Sequence, residues 1–375
     1  MKNLQYSWQS LVAILLCIGA ALTFPLIEPG SGDPILPGIS ALIFFMIIIS
    51  CFLSQLTLPP AISAAILFLA AHEVAWLLLT AITGNEGAAR LSFFLLLASA
   101  WLLAWRCVSI LSDIRPHSRF SGTVLRLLIP AIFGAWILII WEAATRGAGI
   151  PFIILPPPSA IAVRIASSLP ILAADVRQTI FKAVIAGYAI GCISGFLVAI
   201  LADRFAFLRR GLMPIANLAS ALPIIGVAPI MVMWFGFDWQ SKAAVVTIMT
   251  FFPMLVNTVA GLAASGAIER DLMRTYASSY TQTLFKLRLP AAAPFIFNAL
   301  KINSTLALIG AIVAEFFGTP IVGMGFRIST EIGRMNVDMV WAEITVAAIA
   351  GSVFYGVVAL VERATTFWHP SSRGG

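Results

Sequence analysis

Residues 61–80 read AISAAILFLAAHEVAWLLLT, a run interrupted in its middle only by His72 and Glu73. A helix crossing about 30 Å of hydrocarbon at 1.5 Å per residue needs about 20 such mostly apolar residues. A strand of a membrane barrel would instead alternate over about ten residues. The stretch therefore predicts a transmembrane helix, and Ser40–Leu53 has the same continuous character.

The remainder of the chain agrees with that reading. Of its 375 residues, 60% are apolar and 10% charged, with a mean hydropathy of +0.99. Soluble domains carry roughly 45–50% apolar and about 25% charged residues. A water-soluble enzyme or DNA-binding protein of this composition is excluded, because a chain of this length cannot hide so much apolar surface. The fold class expected is an all-α polytopic membrane protein. Ten spans can be drawn, at about 9–27, 36–54, 61–82, 91–111, 124–143, 180–202, 212–235, 241–263, 292–314 and 340–362.

Two interruptions organise these spans. The polar stretch 112–119 (SDIRPHSR) follows the fourth and divides a four-helix amino-terminal extension, 1–114, from a second membrane domain, 124–375, through a basic linker, 115–123. The gap 147–177 contains Pro156, Pro157 and Pro158. Three consecutive prolines cannot continue a helix, so the gap is expected outside the membrane, with 159–173 as a short surface helix. No tandem repeat is present.

The net charge of +7 does not indicate nucleic acid, since no basic block with interleaved aromatics exists. Cytoplasmic loops of membrane proteins collect Lys and Arg. With the amino terminus inside, fourteen basic residues fall on the cytoplasmic side and eight outside, while Arg106 snorkels from the fourth span. Both termini are then cytoplasmic. Lys2 with the apolar stretch 11–22 reads as an uncleaved first span. Cys17, Cys51, Cys107 and Cys192 sit in apolar surroundings without CxxC spacing and read as buried thiols.

The most informative polar stretch separates spans eight and nine. Bundle helices are usually joined by about 2–8 residues, whereas about 28 intervene here. Ile268, Leu272, Tyr276, Tyr280 and Leu284 recur every four residues, with Met273, Ala277 and Leu287 on the same side. That is an amphipathic helix, ended at Leu289 and Pro290. It fits a helix lying on the bilayer surface or one docked on a protein. The polar face, rich in hydroxyls at Thr275, Ser278, Ser279, Thr281 and Thr283, favours the protein.

The spacing from Asp271, Leu272 and Met273 through Ala277 to Leu287, Leu289 and Pro290 resembles the EAA loop of ABC-importer permeases, E-A-A-x3-G-x9-I-x-L-P. Further segments resemble the nitrate, sulfonate and taurine branch of these binding-protein-dependent permeases: ILPPPS at 154–159, ALP at 221–223, AP at 228–229, WFG at 234–236, FP at 252–253 with NT at 257–258, and AEFFG at 314–318. The resemblance runs from about Leu125 to the carboxyl terminus. It implies a six-helix type I permease core, a coupling helix at about 271–284 inserted into a separate ATPase, permease subunits that act in pairs, and delivery of solute by an extracytoplasmic binding protein. Two departures stand out: Asp271 replaces the family's Glu, and Ala277 its Gly, so that either the turn uses right-handed angles or two short helices merge.

No G-x-x-x-x-G-K-[ST] phosphate loop occurs, so ATP and Mg are expected on the partner, and the chain is expected to hold no cofactor, metal or catalytic residue of its own. The resemblance further implies two ATPase copies, a homodimer of permeases, a periplasmic or lipid-anchored binding protein, and a bacterial inner membrane location. The seventh span carries Pro214, Pro223, Gly226 and Pro229, a pattern suited to an irregular, pathway-lining helix. Asn257, Asn303, Ser304 and Glu315 either line that pathway or bond between helices. Two rival readings remain open at this stage. One is an ion-driven secondary transporter using Glu315 or Glu73; the other is a membrane enzyme using His72 and Glu73, for which the only other histidines are His117 and His369. The substrate is left among small anions and heterocyclic precursors.

Overall fold

The computed structural model describes residues 7–28, 37–56, 58–116, 118–219, 223–318 and 321–368. His117, Ala221, Leu222, His369 and Lys2 lie outside the described residues. Those described are helical, with one isolated bridge between Ile27 and Ala89. Seven helices among them are long and apolar enough to cross a membrane.

The chain forms two compact units, Met1–Ala162 and Val163–Gly375. The first contains α1 (Trp8–Leu22), α2 (Pro37–Leu53), α3 (Pro60–Ile82), α4 (Leu91–Asp113) and α5 (Arg119–Gly147). Its core is built on Leu67, Leu78, Phe93, Leu96 and Leu103, all fully buried. Small residues let these helices approach closely: Cys107 Sγ donates to the Ala64 carbonyl at 3.2 Å, and Ser10 and Ser54 Oγ lie 3.0 Å apart. The division by contacts falls after Ala162 instead of within 115–123, because α5 packs on α3 and α4. Cys17, Cys51, Cys107 and Cys192 are buried free thiols.

A short helix, α6 (Pro158–Ser167), crosses the division. The second unit continues with α7 (Leu169–Val176), α8 (Ile185–Arg204), α9 (Ala206–Ala219), α10 (Ile224–Phe235), α11 (Trp239–Ala263), α12 (Ala267–Thr275), α13 (Tyr280–Thr283), α14 (Leu289–Glu315), α15 (Met324–Gly333) and α16 (Val337–Thr365). π-Helical stretches at Arg177–Val184 and Leu284–Arg288 join α7 to α8 and α13 to α14. Helix α11 lies between α8 and α14. Its close contact with α8 requires a stripe of glycines: a Cβ on Gly187 would stand 2.5 Å from the Ala243 carbonyl oxygen, and one on Gly191 would stand 2.6 Å from that of Thr247.

Several sequence expectations are corrected. The seventh span is not one helix but α9 and α10, separated by Pro223, whose extended backbone (ψ 116°) and missing N–H start a new helix. The surface helix expected at 159–173 is two helices, and α7 runs on through its π stretch into one apolar segment, Leu169–Arg204. The first two spans yield helices of 15 and 17 residues, shorter than drawn. Pro290 does not end a helix either; it sits in the first turn of α14, where its missing N–H is tolerated.

Candidate functional site

The 265–290 loop has two physically different halves. Helix α12 buries none of its residues. Ile268, Leu272 and Tyr276 are 83%, 55% and 76% exposed, so its apolar face is uncovered. Asp271 is exposed too, paired only with Arg274 at 3.4 Å, a surface contact of little energetic weight.

The expected single helix breaks after Thr275. The Ser278 N–H donates to the Met273 carbonyl at 3.0 Å and the Ala277 N–H to that of Arg274 at 2.9 Å, a Schellman closure. Ala277 occupies its left-handed position, with φ +53°. Both sequence-based alternatives for Ala277 are therefore corrected: the turn is kept, and alanine adopts the conformation that suits glycine. Restarting the helix is the work of a capping box. Ser279 Oγ accepts from the Gln282 N–H at 3.3 Å, and Gln282 Oε1 accepts from the Ser279 N–H at 2.8 Å. The S-x-x-Q spacing at 279–282 is the sequence signature of such a box.

Beyond the break the side chains turn inward. Tyr280 donates to Asp203 Oδ2 at 3.1 Å, and the Arg204 guanidinium stands 4.5 Å from its ring centroid. Arg288 grips Asp203 with two 2.6 Å hydrogen bonds and reaches the Leu262 carbonyl through Nε at 3.0 Å. Leu284 is buried with Leu262 and Ala292, and Tyr280 and Leu289 pack on that cluster. Leu287 and Pro290 are half-buried, as is Met273. The four-residue stripe thus divides into an outward half (Ile268, Leu272, Tyr276) and an anchored half (Tyr280, Leu284). Asp203 and Arg288 were missed as a pair because 85 residues separate them.

An alanine at left-handed angles costs about 1–2 kcal/mol, partly offset by glycine's larger freedom when unfolded. Ala277→Gly is expected to stabilise the turn by about 0.5–1 kcal/mol. Hydrogen exchange of the 276–279 amides should slow by roughly two- to fivefold.

The residues predicted to line a pathway do not converge on one point. Pro223, Gly226 and Pro229 lie on a face of α10 that this chain leaves exposed, together with Ile225 and Met233. Asn303 is buried and bonds across helices, its Nδ2 donating to the Thr250 carbonyl at 2.8 Å and to Cys192 Sγ at 3.2 Å. Asn257 bonds within its own helix to Pro253 O at 2.8 Å, and buried Ser304 to Lys301 O at 2.7 Å. A cavity of about 220 Å³ opens beside the α9–α10 break, between Ala219, Ile224, Met249, Phe252 and Leu306.

Glu315, 2% exposed, stands at the end of α14 far from the loop. It accepts from Thr179 Oγ1 and from the Gly325 N–H, each at 2.7 Å. Asp175 accepts there from the Gly323 N–H at 2.7 Å and from Arg327 Nε at 2.9 Å. These bonds satisfy the first amides of α15 and tie it to α14 and to the π stretch before α8. The buried Lys242 donates to the carbonyls of Phe237 and Gly318. Nearby, slight burial pushes the Asp238 carboxyl up, but hydrogen bonds from Gln178 and the Trp239 N–H, with the Lys182 and Lys242 charges, hold it below the usual carboxylate range.

His72 and Glu73 do not form a joint site. His72 Nδ1 lies 2.7 Å from its own helix's Phe68 carbonyl, while Glu73 is exposed. Among the described residues, no group of three His, Cys, Asp or Glu side chains is placed to hold a metal.

Apolar helices of this length, with a broken element and an exposed loop on a fixed base, are the frame of a multi-pass membrane protein. Residues 187–367 match the family model described as binding-protein-dependent transport system inner membrane component. A probable ABC transporter permease of Haemophilus influenzae is 28% identical over 240 residues, covering 64% of this chain and 97% of that protein. The formylaminopyrimidine transport permease of Halalkalibacterium halodurans is 28% identical over 241 residues (64% and 96%). A putative aliphatic sulfonates transport permease of Bacillus subtilis is 27% identical over 262 residues (69% and 93%). The chain is thus similar to binding-protein-dependent ABC transporter permeases, relatives named for sulfonates and taurine among them. About a third of it lies outside these matches.

Proposed function

We propose that this chain is the membrane-spanning subunit of an ABC importer, moving a small solute by alternating access while a separate subunit hydrolyses ATP. The observation that carries the reading is the uncovered apolar face of α12 beside an anchored second half. An exposed amphipathic helix suits a groove on a partner. Its base, held by Asp203 and Arg288, would convey the partner's closure to α8 and α14 as rigid-body movement.

In this reading the loop 265–290 faces the cytoplasm, both termini lie on that side, and the bilayer is a bacterial inner membrane. The partner ATPase binds ATP and Mg and is present in two copies. A second copy of this chain covers the exposed face of α10 around Gly226 and Pro229, and an extracytoplasmic solute-binding protein supplies the substrate. Residues 124–375 form the permease core, and 1–114 form an extension joined by the linker 115–123.

Reconstitution in proteoliposomes with the ATPase and the binding protein tests this. Uptake is expected to require ATP and to survive collapse of the proton gradient. Uptake that continues without the ATPase and ceases with the gradient would instead establish an ion-driven carrier.

A further inference from the structure

In the first unit, α4 and α5 border a groove that the other helices leave open. On α4 the lining runs through Trp101, Trp105, Val108 and Ser112, and on α5 through Gly122, Arg126, Ile129, Phe133 and Trp136. Steps of three and four keep each set on one side of its helix. The groove widens twice. One hollow of about 350 Å³ lies between the tryptophans, Val108 and Phe133, and a second of about 560 Å³ lies between Ser112, Ile129, Arg119 and Arg126. Both helices are long and apolar enough to cross a membrane.

The two ends differ in chemistry. The outer end, where the linker joins the helices, carries two exposed guanidiniums, Arg119 and Arg126, with Arg115 exposed beside them. Arg126 spends its Nε on the Gly122 carbonyl at 3.3 Å. Among the described residues, neither guanidinium of the hollow forms an ion pair; Asp113, in the last turn of α4, is exposed and does not line it. The first turn of α5, with its partial positive charge, opens on the same hollow. Basic pockets between membrane helices suit phosphate headgroups, which a guanidinium can grip with two parallel hydrogen bonds. The inner end is apolar. From Ser112 back to Trp101, α4 covers about 16 Å at 1.5 Å per residue, about half of the 30 Å hydrocarbon thickness. The groove is therefore one leaflet deep. Membrane tryptophans ordinarily sit at the interface, whereas Trp101 and Trp136 flank the far end of this slot. An anion at the surface and a hydrocarbon chain one leaflet long are joined in a single kind of molecule, an anionic phospholipid.

We infer that this groove binds one anionic phospholipid, with its phosphate on Arg119 and Arg126 and an acyl chain laid along Val108 and Ile129 to the tryptophans. The inference concerns residues 1–162 and is independent of the importer reading. Its test is native mass spectrometry of the full-length chain in detergent, titrated with dioleoylphosphatidylglycerol or dioleoylphosphatidylcholine. The first phosphatidylglycerol is expected to bind at least about tenfold more tightly than the first phosphatidylcholine. Arg119→Gln combined with Arg126→Gln should abolish that preference. Arg209→Gln combined with Arg210→Gln, which removes the same charge from exposed positions on α9, should leave it intact. Val108→Trp, which fills the groove midway, should lose the first-bound phosphatidylglycerol, and glycerol 3-phosphate in excess should not displace that lipid from the parent. Equal affinity for the two lipids, or equal losses in the two arginine variants, would overturn the site. Undiminished binding in Val108→Trp, or displacement by glycerol 3-phosphate, would overturn the seating of the chain in the groove.

Discussion

Arg288→Ala is expected to reduce ATP-driven uptake at least tenfold while the chain still inserts in the membrane. Asp203 and Arg288 side chains are only 5% and 15% exposed and meet at 2.6 Å. Removing one partner of such a pair leaves the other as an uncompensated charge and costs about 3–5 kcal/mol. Tyr280 loses the oriented carboxylate to which it donates, and Leu262 loses the Nε contact on its carbonyl. The second half of the loop should then come free of α8 and α11, and partner movement would no longer reach the spans. Limited proteolysis should cut within 276–288 in the variant and not in the parent. Arg288→Lys keeps the charge but not the two-pronged grip, so an intermediate loss is expected. Combining Arg288→Ala with Asp203→Ala should cost less than the sum of the two single changes, since neither charge is then stranded. Uptake and cleavage both unchanged in Arg288→Ala would show that the pair does not hold the loop.

Tyr276→Glu and Leu272→Glu should act by a different route. Both side chains are largely exposed in the single chain, so substitution should shift the permease's own stability by less than about 0.5 kcal/mol. On a docked helix they would be central contacts, each carrying about 2–4 kcal/mol. That corresponds to a loss of roughly 30- to 1000-fold in affinity for the ATPase, read by co-purification or by titration of the reconstituted permease. A helix that only lies on the bilayer predicts another pattern: weakened membrane contact of the loop and unchanged ATPase binding. Undiminished co-purification of the Leu272→Glu and Tyr276→Glu proteins would therefore count for the bilayer and against docking.

The loop marks the limit of what neighbouring residues reveal. Its unusual length, its amphipathic repeat and its resemblance to the EAA pattern all lie in adjacent residues. The repeat overstated the helix, because periodicity registers where apolar residues fall and not whether the chain reverses between them. The reversal depends on a Schellman closure at Ala277, which a rule that reserves left-handed angles for glycine would not place there. A capping box at Ser279 and Gln282 was available in the sequence as a warning of the restart. At the far end of α14, Glu315 stood out as a rare buried carboxylate, but its role as a ligand for the first amides of α15 required Thr179, 136 residues away.

By itself, the amino-acid sequence determined that this protein is helical and lives in a membrane, and it marked the chain's permease-like segments and protruding loop. These follow from continuous apolarity, proline placement and local spacing, which are properties of neighbouring residues. Tertiary structure alone decided which half of the loop is anchored, where the seventh span divides to border a cavity, and which buried charges pair. Such outcomes depend on groups brought together from distant helices, and the energies that settle them, burial of charge and closure of space, exist only once those helices have packed.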